Sequence, residues 1–136
     1  ITWAELRLLP APADLLAGLR VIHDHVQPDA QLALYGEGYT AVLALYAALL
    51  GRPQEHAVQE LILSNPPESH EDPQTPELLG VLRCGDLPVN LALWAPRPLT
   101  FIGAVPPAYE WTRQAYAKLD APFRVLERLA DWTPVG

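Results

Sequence analysis

The chain has 136 residues, of which 9 are basic and 16 acidic, giving a formal net charge of −7, and half of its residues are apolar. This length fits one domain, and an apolar fraction of this size with only 18% charged residues excludes a disordered tail. No apolar run approaches the roughly 20 residues of a membrane-spanning helix. The basic residues are scattered and offer no positive patch to a phosphate backbone. We therefore expect a single domain over residues 1–136 that binds neither membranes nor nucleic acid.

Cysteine usage and the chain start indicate the cellular context. Cys84 is the single cysteine, which excludes an internal disulfide and a thiolate zinc site and leaves the cytoplasm as the default compartment. The chain opens at Ile1 with neither an initiator methionine nor a signal segment, so we expect it to be part of a longer protein. Lys118 is the single lysine, and all other basic residues are arginines, a preference that indicates a GC-rich bacterial genome.

Helical and strand patterns alternate along the chain. Because parallel neighbours need a crossover, and a helix is the usual one, this alternation predicts a mainly parallel sheet. We expect an α/β domain of three-layer or incomplete three-layer architecture with about four strands. The expected elements are a helix over 13–27, a strand over 31–35, a helix over 40–50, a strand over 58–64, a proline-broken loop over 65–76, short helices over 78–83 and 86–94, a strand over 99–103, a helix over 107–119 and a strand over 123–127.

The segment from Leu32 to Tyr46 has the pattern of a nucleophile elbow, in which an apolar strand meets a tight turn and a helix of small apolar residues. It resembles the α/β-hydrolase superfamily. The phrase Ala-Pro-Arg-Pro-Leu over residues 95–99, before an apolar strand, is typical of its acetyl xylan esterase-like and dienelactone hydrolase-like members. The resemblance spans nearly the whole chain and corresponds to the C-terminal half of such a fold.

The three positions that carry the family's catalytic triad hold other residues here. The turn reads Gly36-Glu37-Gly38-Tyr39-Thr40, so glycine stands at the nucleophile position and threonine replaces the second flanking glycine. The resemblance places an acid after the third strand, where residues 104–107 contain no carboxylate. It places a histidine after the last strand, and no histidine follows His70. The resemblance thus implies a hydrolase-like scaffold without the triad.

This pattern favours a non-catalytic scaffold or a module that binds a small molecule or a protein. The alternative is a fragment of a serine-esterase-type hydrolase whose other half, or an unusual residue set, supplies the chemistry. That set would draw on Glu37, His70, Asp72 or Cys84. Cys84 also fits a buried structural cysteine.

Polar residues near the expected carboxyl edge of the sheet are the ligand-binding candidates, because α/β ligand sites gather at that edge. They are Glu37 and Tyr39 in the turn, and His70 and Asp72 in the polar loop, which could equally be an ordinary surface loop. We expect no metal, since the histidines of His23-Asp24-His25 point about 200° apart on a helix. No phosphate-cradling or dinucleotide motif is present, so we also expect no cofactor.

The expected topology also bears on assembly. Right-handed crossovers between four sequentially ordered strands would place the helices at 40–50, 78–94 and 107–119 on one face and leave the other uncovered. The strand at 31–35 would be an apolar open edge. We therefore expect the chain to pair with a second copy or a partner chain through that face or edge.

Overall fold

The computed structural model describes residues 32–50, 58–69, 71 and 85–135. The helices expected over 13–27 and 78–83 lie outside these residues. So do several of the candidates, namely His23, His25, His70, Asp72 and Cys84.

Four strands form one sheet with parallel pairing throughout the described residues. They are β1 (Leu32–Glu37), β2 (Val58–Ser64), β3 (Leu99–Ile102) and β4 (Phe123–Leu126), and they are ordered β1-β2-β3-β4. The expected α/β class, parallel sheet and sequential strand order are confirmed in this part of the chain. β1 is longer than expected, because the extended backbone continues through the turn sequence to Glu37.

Three helices connect the strands: α1 (Tyr39–Leu50), α2 (Leu87–Ala92) and α3 (Glu110–Lys118). α2 begins after Asp86, whose side chain accepts a hydrogen bond from the Leu87 amide at 2.8 Å and caps the helix. The helix expected over 107–119 starts with a 3-10 turn over Pro107–Tyr109 before α3, and a second 3-10 turn covers Leu129–Asp131.

The apolar core lies between the sheet and the helices. Leu34, Leu61 and Leu99 are register partners on neighbouring strands and face the same side of the sheet. On that side, residues of all three helices pack with them in one apolar cluster. α1 is buried along most of its length, which explains its almost wholly apolar sequence. Within the described residues every helix covers this one face. The cluster's largest fully buried side chains include Trp94, Tyr109, Tyr116, Phe101 and Leu45.

The second face of the sheet is not bare, contrary to the expectation of an uncovered face. Leu32 of β1 pairs with Val58 of β2, but the next residue of β1 pairs with Glu60, so that Gln59 forms a β-bulge. Val58 therefore joins the helix-side core, whereas Glu60 contacts groups on the second face. Glu60 and Ile62 are each 3% exposed and Thr100 is fully buried. At the centre of the sheet this face is covered.

Candidate functional site at the carboxyl edge of the sheet

The turn between β1 and α1 has the geometry of a strand-to-helix elbow. A Cβ atom added to Gly36 would stand 2.5 Å from the Ala41 Cα, so only glycine fits there. Gly38, at the tip, has φ +58, and a Cβ added to it would meet no atom within 4 Å. The tip therefore has room for a side chain, in a left-handed backbone conformation that favours glycine.

Thr40 closes the turn with its side chain. Its hydroxyl donates a hydrogen bond to the Glu37 carbonyl at 2.6 Å and accepts one from the Glu37 amide at 2.9 Å. The departure from glycine at this position is thus a structural contact. The sequence offered one signal for it, a hydroxyl residue three positions after the last strand residue and at the start of a helix.

Several amides of the elbow already bond within the chain. Besides the Glu37 amide, the Gly38 amide donates to the Ser64 carbonyl at 2.9 Å and the Ala41 amide donates to the Gly38 carbonyl at 3.1 Å. Stabilising an oxyanion requires amides that point at the reacting atom. These three amides point at chain carbonyls or at a hydroxyl instead.

The two candidates within the elbow, Glu37 and Tyr39, are both exposed. The Tyr35 hydroxyl lies 3.5 Å from Glu37 Oε2, a long contact on the surface. Among the described residues, no second carboxylate is hydrogen-bonded to Glu37, and the four histidines of the chain lie outside these residues.

The loop after β2 is fastened to neighbouring elements. The Tyr109 hydroxyl donates to the Pro67 carbonyl, and the Ala108 amide donates to Glu68 Oε2 at 2.9 Å. The Ser69 hydroxyl donates to Asp86 Oδ2 and accepts from the Glu71 amide at 3.0 Å. The described part of the expected polar loop is therefore hydrogen-bonded to the residues that precede α2 and α3, along the carboxyl edge of the sheet.

Asn90 on α2 is a buried polar residue that the sequence analysis missed. It is 2% exposed, and its Nδ2 donates to the Tyr46 hydroxyl at 2.9 Å and the Gly85 carbonyl at 2.7 Å. Its Oδ1 has no hydrogen-bond partner among the described residues. The one sequence signal was an amide residue in an otherwise apolar helical segment. Asn90 joins α2 to α1 behind the elbow.

Two buried tyrosines are held in the neutral form. Burial, reinforced by the nearby Tyr46, Asp86 and Glu68, raises the pKa of Tyr109 far above its usual value. Burial likewise raises the pKa of Tyr116, although Arg97 opposes the change. A phenol that keeps its proton cannot act as a base, so both hydroxyls serve as hydrogen-bond donors to chain carbonyls.

Within the described ranges no three His, Cys, Asp or Glu side chains lie close enough to hold a metal ion. In the same ranges no helix combines the length and apolarity needed to cross a membrane. Comparison of the chain with protein-family models, curated proteins and solved structures finds no match.

Proposed function

We propose that this chain is a non-catalytic α/β-hydrolase-like domain that serves as a scaffold or binding module, with the cytoplasm as its expected compartment. The observation that carries the proposal is Gly38. The elbow presents position 38 in a left-handed conformation with open space in front of it, where a nucleophile's side chain would stand. Glycine supplies no hydroxyl or thiol for nucleophilic catalysis.

The sheet topology supports the hydrolase-like part of the proposal. Four parallel strands in sequential order, with the elbow after the first and the helices on one face, are what the resemblance implies. This likeness concerns architecture, and an architecture of this kind is compatible with many functions.

The segment that follows β4 supports the non-catalytic part. The indole Nε1 of Trp132 donates to Glu60 Oε2 on the second face. The Ser64 carbonyl accepts a hydrogen bond from the Gly38 amide of the elbow. Glu60 lies four residues before Ser64, so the two residues are about 13 Å apart along the strand. The Trp132 side chain of the segment in which the family carries its histidine is therefore bound to the second face, and not to the elbow.

Covalent labelling with a fluorophosphonate probe tests the proposal against the alternative of an esterase fragment. Gly38→Ser adds a hydroxyl at the elbow tip. Gly103→Ser is the matched control, because Gly103 also follows a strand, has φ +83 and has no atom within 4 Å of an added Cβ. We expect neither the wild-type chain nor either variant to be labelled above a denatured control, since a serine without its base and acid gains little reactivity.

Labelling of Gly38→Ser but not of Gly103→Ser would show that the elbow retains an activating environment, and the proposal would be wrong. Labelling of the wild-type chain at any residue would favour the esterase alternative.

The proposal extends to assembly with a second copy through β1, the strand at one edge of the described sheet. Its sequence is apolar up to the turn, and Tyr35 is 40% exposed. An exposed apolar edge strand is a template for pairing with another chain. Because the centre of the second face is covered, the edge is the better supported of the two surfaces expected from the sequence.

Sedimentation of the wild-type chain and of Tyr35→Lys tests this pairing, because a lysine on an edge strand opposes it. Trp111→Lys is the control, since Trp111 is an exposed aromatic residue on α3. We expect a dimer that only Tyr35→Lys shifts towards monomer. A wild-type chain that is purely monomeric at micromolar concentration would refute the pairing.

A further inference from the structure

The segment after β4, residues 127–135, lies largely at the surface. Seven of its nine residues are exposed, and only Trp132 and Pro134 are partly buried. Its internal bonds are local, with the Asp131 amide donating to the Arg128 carbonyl at 3.0 Å and an exposed ion pair between the same two residues at 3.1 Å. Within the described residues, the Trp132 side chain hydrogen-bonds this segment to the sheet.

Trp132 reaches a buried carboxylate. Glu60 Oε2 accepts hydrogen bonds from three donors: the Trp132 indole, the Thr100 hydroxyl at 2.7 Å and Arg124 Nη2 at 2.9 Å. The Arg124 guanidinium also lies 5.9 Å from the centre of the Trp132 ring, within the range of a cation–π contact. A carboxylate as buried as Glu60 is tolerated only when donors of this kind compensate its charge.

We propose that residues 127–135 form a detachable strap, the C-terminal strap, which covers the Glu60 site and opens without unfolding of the sheet. Two observations make local opening possible. The strap's turn is held by its own bonds, and Glu60 keeps Thr100 and Arg124 as donors after Trp132 has left. Opening uncovers a carboxylate–guanidinium pair on the second face, so the strap controls access to that surface. This inference goes beyond the proposed function and does not depend on it.

Solvent exchange of two indole N–H groups, measured by NMR in the same sample, tests local opening. Trp94 is the internal reference for global unfolding, because it is 1% exposed and its Nε1 donates to the Pro98 carbonyl at 2.9 Å. In the wild-type chain we expect the Trp132 indole to exchange about tenfold faster than the Trp94 indole or more, as segments that open locally do. Equal exchange rates would show that the strap opens only with the whole domain.

A second variant removes the anchor while keeping the sheet. Replacing both Glu60 and Arg124 by leucine deletes the acceptor without leaving an unpaired buried charge, an exchange that proteins often tolerate. We expect Trp132 exchange to rise about tenfold or more, the effect of losing a charge-assisted hydrogen bond, with Trp94 unchanged. Unchanged Trp132 exchange would mean that Glu60 is not the anchor, and equal acceleration at both indoles would mean that the strap is not a separate unit.

Discussion

The elbow and the Glu60 site are opposites in how they use polar groups. The elbow, at the carboxyl edge where α/β ligand sites gather, has a left-handed glycine tip with open space in front of it and carries an exposed carboxylate. The Glu60 site, on the second face, combines a buried carboxylate with three donors from three parts of the chain. The densest set of hydrogen bonds to one carboxylate therefore occurs where it holds the fold together, whereas the described tip of the elbow is a glycine without a nucleophilic side chain.

The two glycines of the elbow differ in how closely other atoms approach them. Gly36→Ala places a Cβ 2.5 Å from the Ala41 backbone, and relieving that overlap should lower the free energy of unfolding by about 3 kcal/mol. Gly38→Ala meets no atom and incurs only the left-handed conformational penalty, about 1 kcal/mol. Urea denaturation of both variants measures the difference. Equal losses would show that the turn is not packed as described.

Arg124→Gln tests the Glu60 site. It leaves a buried carboxylate without its cation, and we expect a loss of about 2 kcal/mol in the free energy of unfolding. This figure is below that of a fully buried pair because the Arg124 side chain is 27% exposed. Arg128→Gln is the control, since its ion pair with Asp131 is exposed and should contribute less than about 0.5 kcal/mol. A loss no larger than the control's would show that Glu60 is adequately compensated without Arg124.

Alkaline pH tests the fastening of the loop at the carboxyl edge. Burial raises the pKa of Tyr109 above that of the unfolded chain, so the unfolded chain loses this proton first as pH rises. The stabilisation that this difference in pKa provides is complete below about pH 10. Above about pH 10, the loss of the proton from the unfolded chain should lower the free energy of unfolding by about 1.4 kcal/mol per pH unit.

Denaturant titrations between pH 8 and pH 11 measure this slope. In Tyr109→Phe the slope should decrease, and the remainder should include the contribution of Tyr116, whose pKa burial also raises. An unchanged slope in that variant would contradict the buried, neutral state of Tyr109.

Thr40 tests the side-chain hydrogen bonds that close the elbow. Thr40→Val keeps the shape of the side chain and deletes the hydroxyl that bridges the Glu37 amide and carbonyl, for a loss of about 1 kcal/mol. Thr40→Ser keeps the hydroxyl and should retain most of the stability. If both variants lose stability equally, the methyl group rather than the hydroxyl matters at this position.

The sequence was informative about the sheet and the elbow because their signals are local. Apolar runs bounded by glycine and proline predicted all four described strands, and the glycines at 36 and 38 marked the turn. Boundaries shifted where capping decided them, as at Asp86, and where a 3-10 turn preceded α3.

The Glu60 site could not be predicted, because its contacts are long-range. Glu60 lies in a strand sequence whose alternation does not reveal a bulge, and the bulge at Gln59 decides which face it occupies. Its donor Trp132 is 72 residues away in the chain. The contact between the segment after β4 and β2 therefore has no local sequence signal.

Turnover of nitrophenyl acetate by the wild-type chain tests the proposal that the elbow is not catalytic. We predict hydrolysis no faster than with the same concentration of denatured chain, because Gly38 offers no nucleophile. Saturable turnover by the folded chain that a fluorophosphonate abolishes would show instead that the chain is a hydrolase.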